Sequence, residues 1–184
     1  MSDAWYLDAS EYYVGTGTEE YPLRQGDLIA GPTVGGEPWA AAQVVHPTCE
    51  LGKRTLREAQ VVRVRPLSDA PDDFTRGLLV AGFREEDGER RVAVAHTFFL
   101  PPWADGAPPC FASFREIATI PAPIKARSRV AATSHDCRVA FIRRWLYFRF
   151  RLAFTFEQVR AWEATRIAND PAFVGPKPTW ATPN

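Results

Sequence analysis

The sequence has few of the features that mark secreted, membrane-spanning or phosphate-loop proteins. Three cysteines in 184 residues are an odd number without the spacing of a disulfide framework. No apolar run approaches the roughly 20 residues of a spanning helix, and the acidic start Met1–Trp5 is unlike a secretory signal. Gly15-Thr16-Gly17 lacks the lysine and following helix of a phosphate loop. We therefore expect a cytoplasmic protein with reduced cysteines and no membrane partner.

Charge is balanced over the whole chain but unevenly distributed. The formal net charge is zero, which gives no general attraction to nucleic acid or anionic membranes. Residues 1–30 hold six acids and one arginine, whereas residues 124–151 hold eight bases and one aspartate. Either these two segments face each other or solvate the surface, or the second one forms a basic binding surface.

Short apolar runs between glycine and proline turns predict strands rather than long helices, and the chain has sixteen prolines. In Glu58–Pro66, valine and arginine alternate, so Val62 and Val64 should face inward and Arg63 and Arg65 outward. The other predicted strands are Gly26–Ile29, Trp39–His46, Arg91–Leu100 and Cys110–Pro121.

Helices are predicted near the middle and at the end of the chain. A short one lies around Asp73–Ala81, and Ser134 is a plausible N-cap of a longer one. The longer helix has an apolar stripe at Val139, Ile142, Trp145, Leu146 and Phe150, with Arg138, Arg143, Arg144 and Arg151 largely off it. A capping box at Thr155 predicts a further helix to about Ala168, followed by an extended tail from Pro171.

This order of elements predicts a mainly β (α+β) fold, namely a small SH3-like β-barrel closed by one or two C-terminal helices. Residues 1–22 would form an N-terminal arm, residues 23–152 the barrel with its closing helix, and residues 153–184 a C-terminal helix and Pro-rich tail.

Four short stretches occur in the same order as in a known family. They are Gly26-Asp27-Leu28-Ile29, Val44-Val45-His46-Pro47, Val64-Arg65-Pro66-Leu67-Ser68 and Ser113–Pro121. In these stretches the chain resembles the MazF/PemK-like toxin endoribonucleases over roughly residues 24–152. The resemblance implies a barrel that cleaves single-stranded RNA, often as a homodimer, with Ser68 at the place of the family's serine or threonine.

The chain departs from this family at one important place. The resemblance implies an arginine just before the second strand, where this chain has Trp39 and a run of alanines. Arg24, Arg63 or Arg65 would have to supply the charge that stabilises a phosphorane. The chain also resembles a broader group of uncharacterised bacterial proteins, which share a Gly-Asp-Ile/Val strand and a later Cys-Asp or Cys-Glu, here Cys49-Glu50.

His46 and Cys49 flank Pro47 and form the first reactive pair of the sequence. They are a candidate nucleophile and base, with Glu50 or His96 as an orienting group. Together with His135 and Cys137 they also supply the ligand types of a Cys₂His₂ zinc site. Alternatively, the two cysteines are small buried hydrophobic side chains. We assign no metal and no cofactor.

The basic helix is the stronger functional lead. Arg143-Arg144-Trp145 and the following Tyr147–Arg151 interleave cations with aromatic rings, a combination that binds single-stranded nucleic acid. In the alternative interpretations, its aromatics pack on the barrel and its arginines pair with the acidic arm, or the helix docks a protein partner.

These observations predict a toxin-like protein that binds, and in its enzymatic version cleaves, single-stranded RNA. The predicted phosphate contacts are Arg63, Arg143 and Arg144, and the predicted catalytic residues are Ser68, Arg65, His46 and Cys49. The alternative is a non-enzymatic interaction or scaffold module that docks through its aromatic helix and Pro-rich tail.

Overall fold

The computed structural model describes residues 7, 9–14, 22–81, 83–86, 89–92, 94–124 and 128–150, together with positions 158 and 161. In chain order, the strands and helices of this part are β1 (Tyr13–Val14), β2 (Leu28–Ala30), β3 (Thr33–Val34), β4 (Glu37–Pro38), β5 (Ala41–Val44), α1 (Thr48–Leu51), β6 (Glu58–Pro66), α2 (Asp73–Ala81), β7 (Phe83–Glu86), β8 (Glu89–Val92), β9 (Thr97–Leu100), β10 (Cys110–Pro121), β11 (Arg129–Thr133) and α3 (His135–Phe150). Short 3₁₀ turns span Ala9–Glu11 and Leu67–Asp69.

The fold is a mixed α+β arrangement built on a seven-stranded antiparallel sheet in the order β1-β11-β2-β5-β6-β10-β9. The pairs β3–β4 and β7–β8 form two separate hairpins. Because the sheet is not closed, the predicted small SH3-like barrel is wrong. The segment that we expected to be a separate N-terminal arm contributes β1 to this sheet.

Side chains, rather than a backbone ladder, connect the two edges of the sheet. Tyr12, next to β1, has its ring centroid 6.1 Å from that of Phe98 in β9. The Tyr13 hydroxyl donates a hydrogen bond of 2.8 Å to the carbonyl of Pro101, and burial raises the pKa of this hydroxyl. Because β1 has only two residues, it offers very few backbone groups that could pair with β9, the strand at the other edge of the sheet.

Each face of the sheet carries its own apolar cluster. The first includes Val62, Phe114 and Phe141 and lies between the sheet and α3. The second lies on the opposite face and includes Trp39 and Val61. Val34 of β3 and Leu51 of α1 pack against this cluster. Val62 and Val64 are buried in the first cluster, as the alternation predicted, and Arg63 and Arg65 are partly exposed.

Several predicted elements are confirmed, some with shifted ends. The strands Glu58–Pro66 and Cys110–Pro121 and the helix Asp73–Ala81 have the predicted bounds. Ser134 caps α3, because its Oγ accepts a hydrogen bond of 3.0 Å from the backbone N–H of Cys137. The predicted strand Arg91–Leu100 is divided between β8 and β9. The predicted helix from Thr155 and the extended tail lie outside the described residues, apart from positions 158 and 161.

A buried carboxylate joins the turn before β2 to the two ends of β11. Asp27 Oδ2 accepts hydrogen bonds of 3.1 Å from Arg129 Nη1 and 2.9 Å from the Arg24 N–H. Its Oδ1 accepts a hydrogen bond of 3.0 Å from the Thr133 N–H. The side chains of Asp27 and Arg129 are each 1% exposed. Gly26 precedes the aspartate with φ +94°, and a Cβ there would lie 3.2 Å from Thr133 Oγ1, so the turn requires glycine.

Replacing Asp27 with asparagine removes the carboxylate that faces the buried Arg129 guanidinium. Breaking a buried ion pair on one side destabilises a protein by about 3–5 kcal/mol, and we expect a loss of this order for Asp27→Asn in urea unfolding. Asp73→Asn is the matched control, since Asp73 is exposed and pairs with Arg76 on the surface of α2. It should change stability by less than about 1 kcal/mol. Similar losses in both variants would contradict the role of Asp27.

Candidate functional site

The four predicted catalytic residues do not form one site, because they lie at opposite ends of β6. The His46 N–H donates a 3.1 Å hydrogen bond to the carbonyl of Gln60 near the start of this strand. Arg65 lies near its end, and Ser68 lies in the turn that follows. Gln60 and Arg65 are five residues apart, which is about 17 Å along a strand. The four residues therefore belong to two separate places. His46 and Cys49 lie in a loop around α1, which we call the thiol loop, and Arg65 and Ser68 lie at the end of β6, in or beside a charged cluster.

The charged cluster consists of Arg63 and Arg65 with the carboxylates of Glu37, Asp69 and Glu116. Arg63 lies 2.6 Å from Glu37 Oε1 and 3.3 Å from Glu116 Oε1. Arg65 lies 3.0 Å from Asp69 Oδ2 and 3.6 Å from Glu116 Oε2. Glu116 therefore bridges both arginines, with a different oxygen toward each.

A shift of register between β10 and β6 lies next to Glu116. β10 pairs with β6 up to Ser113, opposite Arg63, and pairing resumes at Ile117 opposite the preceding residue of β6. Residues 114–116 are thus extra residues on the β10 side. Bulges interrupt the ladder, re-aim side chains and are frequent beside functional sites. The sequence predicted the strand and the outward arginines, but it gave no signal for the bulge or for Glu116.

The cluster is accessible but not positively charged overall, because two guanidinium groups face three carboxylates. The side chains of Arg63 and Arg65 are 22% and 38% exposed. The hydrogen bond with Glu37, aided by Glu116, raises the pKa of Arg63, which keeps it protonated. The Arg63 guanidinium also lies 5.8 Å from the centroid of the buried Trp39 ring. Ser68 is exposed beside Asp69.

The thiol loop consists of His46, Cys49, Glu50 and Lys53 around α1. Glu50 Oε1 lies 2.6 Å from Lys53 Nζ and 3.8 Å from Cys49 Sγ. The hydrogen bond from Lys53 lowers the pKa of Glu50. Burial lowers the pKa of His46, and the nearby Glu50 opposes this effect. Glu50, one of the two proposed orienting groups, thus contacts Cys49 and Lys53. His96, the other proposed orienting group, is adjacent to β10, because its carbonyl accepts a hydrogen bond from Phe114.

The arginines of α3 do not form an exposed basic surface. Arg143 and Arg144 are 4% and 5% exposed, and Arg138 is 1% exposed. Arg144 Nη1 donates a 3.2 Å hydrogen bond to the carbonyl of Val94. We expected these arginines to lie largely off the apolar stripe, and they are nevertheless buried, like every other residue from Cys137 to Trp145. Phe150, predicted on the stripe, is 60% exposed.

The aromatic rings of α3 contribute mainly to the core. The ring centroids of Phe141, Trp145 and Phe148 lie 5.6, 5.3 and 5.8 Å from that of Phe114. Edge-to-face and tilted contacts of this kind stabilise a packed interior. The rings of Phe141 and Trp145 are therefore not available for stacking on bases or for docking a protein, whereas the ring of Phe150 is exposed.

The four residues of the hypothetical zinc site do not assemble into one. In the part of the chain that the structure describes, no group of three or more His, Cys, Asp or Glu side chains is placed to hold a metal ion. Cys137 is fully buried at the start of α3, whereas Cys49 is partly exposed in the thiol loop.

Comparisons with protein-family models, with curated proteins and with solved structures found no match to this chain. Among the described residues, no helix combines the length and the apolar character that crossing a membrane requires.

Burial distinguishes the three cysteines, which gives a test of the thiol loop. Burial raises the pKa of Cys110 to about 11 and also raises that of the fully buried Cys137. We expect an aromatic disulfide reagent to modify only Cys49 in the native protein and all three thiols in denaturant. Cys49→Ser should remove the fast reaction. Rapid modification of a second thiol in the native protein would contradict the burial.

Proposed function

We propose that this chain binds single-stranded RNA through the charged cluster, with Arg63 and Arg65 contacting phosphates and the Ser68 hydroxyl as a further donor. The observation that carries the proposal is that two accessible guanidinium groups project from the same face of one strand. Alternate residues of a strand are roughly 7 Å apart, so the two groups can contact successive phosphates of an extended chain. Arginine and serine side chains are common donors to phosphate oxygens.

The carboxylates of the cluster do not prevent this. Ion pairs between exposed side chains contribute only about 0–1 kcal/mol each, and the side chain of Glu37 is 59% exposed. A phosphate that forms charge-assisted hydrogen bonds with one of the guanidinium groups can replace such a partner. The three carboxylates nevertheless reduce the attraction, so we expect modest affinity with a clear dependence on salt.

A cytoplasmic location is part of the proposal. It is supported by the cysteines, none of which is joined in a disulfide although all three lie in the described residues. Reduced thiols are typical of the compartment in which single-stranded RNA is abundant. Docking of a protein through α3 has less support, because its aromatic rings contact Phe114 in the core.

The test is a fluorescence titration of labelled single-stranded RNA against the protein at several salt concentrations. We expect binding that weakens as salt rises. The double variant Arg63→Ala/Arg65→Ala should weaken binding by about tenfold or more and reduce the salt slope by about two phosphate contacts.

Arg76→Ala is the matched control, since Arg76 is a surface arginine on α2 that pairs with Asp73 rather than with a carboxylate of the charged cluster. It should leave the affinity within about twofold of wild type. Equal affinity of the double variant and the wild type would place the RNA elsewhere. No binding at low salt would exclude the proposal and leave protein docking as the interpretation to pursue.

A further inference from the structure

We propose that residues 11–14 form a strap that opens while the rest of the sheet stays folded, and that its opening makes two buried thiols, Cys110 and Cys137, accessible to small disulfides. The strap is thus a redox-sensitive device built into the fold. It is independent of the proposed RNA binding.

The strap lies across the opening between the two edges of the sheet. On one side, β1 pairs with β11, and the Tyr12 carbonyl accepts a hydrogen bond of 2.9 Å from the Ser134 N–H. On the other side, the Tyr13 hydroxyl donates its hydrogen bond to the carbonyl of Pro101, and the Tyr12 ring packs against Phe98 of β9. One short segment therefore connects β11 and β9, which are not neighbours in the sheet.

Two thiols lie next to this strap. Cys110 begins β10 and pairs with Leu100 of β9, and Cys137 lies in the first turn of α3. Both belong, with Tyr12, to the first apolar cluster, and they are 3% and 0% exposed. Burial is the main cause of the raised pKa of the Tyr13 hydroxyl, and both thiols add to this effect, so they lie near the hydroxyl.

The strap is attached more weakly than the strands beside it. β1 has two residues and lies at one edge of the sheet, whereas β11 has a neighbouring strand on each side. Among the side chains from Glu11 to Val14, that of Tyr12 alone is deeply buried, and Val14 is 47% exposed. Segments that few backbone hydrogen bonds and few buried contacts hold in place open locally, without global unfolding.

Opening changes both the access to the thiols and their ionisation. In the closed state, burial raises the pKa of Cys110 to about 11, which leaves little thiolate at neutral pH. Water that reaches the thiol in the open state brings its pKa back toward the usual value, and the proton passes to water. The thiolate attacks one sulfur of a small disulfide, the S–S bond breaks, and the other half leaves as a thiolate. The attached group does not fit the closed state, so it holds the strap open.

The experiment measures how fast an aromatic disulfide reagent labels each cysteine, at several urea concentrations below the unfolding transition, with mass spectrometry to locate the label. Over times much longer than the fast reaction of Cys49, Cys110 and Cys137 should react at rates that hardly change with urea, because local opening exposes little surface. Rates that rise with urea as steeply as global unfolding would overturn the proposal.

Tyr13→Phe removes the hydrogen bond that ties the strap to Pro101. It should speed the labelling of Cys110 and Cys137 by about fivefold. Tyr147→Phe is the matched control, since it removes a tyrosine hydroxyl from α3 instead of from the strap, and it should leave both rates within about twofold of wild type. Equal acceleration in the two variants, or none in Tyr13→Phe, would contradict the strap.

Hydrogen exchange tests whether the label holds the strap open. In the labelled protein, the amides of β1 should exchange rapidly, and reduction of the mixed disulfide should restore their protection. Protection that persists in the labelled protein would exclude the redox-sensitive device.

Discussion

The carboxylate of Asp27 lies where the turn before β2, the strand β11 and the first residues of α3 meet. Removing this carboxylate and the Arg129 guanidinium from water is costly, and the cost is offset only when each ion has a full set of partners. The backbone N–H groups of Arg24 and Thr133 complete the set around Asp27. The Asp27 carboxylate therefore fixes the turn before β2 against both ends of β11, and α3 begins two residues after Thr133.

The charged cluster depends on a second constraint, which is the shift of register between β6 and β10. With regular pairing through this region, alternate side chains of β10 would simply stand beside Arg63 and Arg65. The three inserted residues instead put the carboxylate of Glu116 between the two arginines. The same sheet keeps the thiol loop at the other end of β6. The fold thus separates the chemistry of Cys49 from that of the arginines, which the linear sequence had suggested were one site.

Sequence reasoning succeeded where the signal was local. The alternation of Val62 and Val64 with Arg63 and Arg65 fixed both the strand and its faces, because side chains in a strand alternate with period two. Ser134 was identified as a cap because its hydroxyl serves the first turn of its own helix. Charge alone suggested a surface position for Arg143 and Arg144, which are buried. Their burial depends on neighbours such as Val94, some fifty residues earlier in the chain.

The sequence by itself determined the main strands β6 and β10, the helices α2 and α3, the faces of the outward arginines and the glycine–aspartate turn. These features depend on residues within a few positions of one another. Only the tertiary structure decided that the sheet stays open, that Asp27 pairs with Arg129 and that Glu116 bridges two arginines. Each of these involves groups that are distant in sequence, and their meeting depends on strand order and register. A local pattern of side chains encodes neither the strand order nor the register.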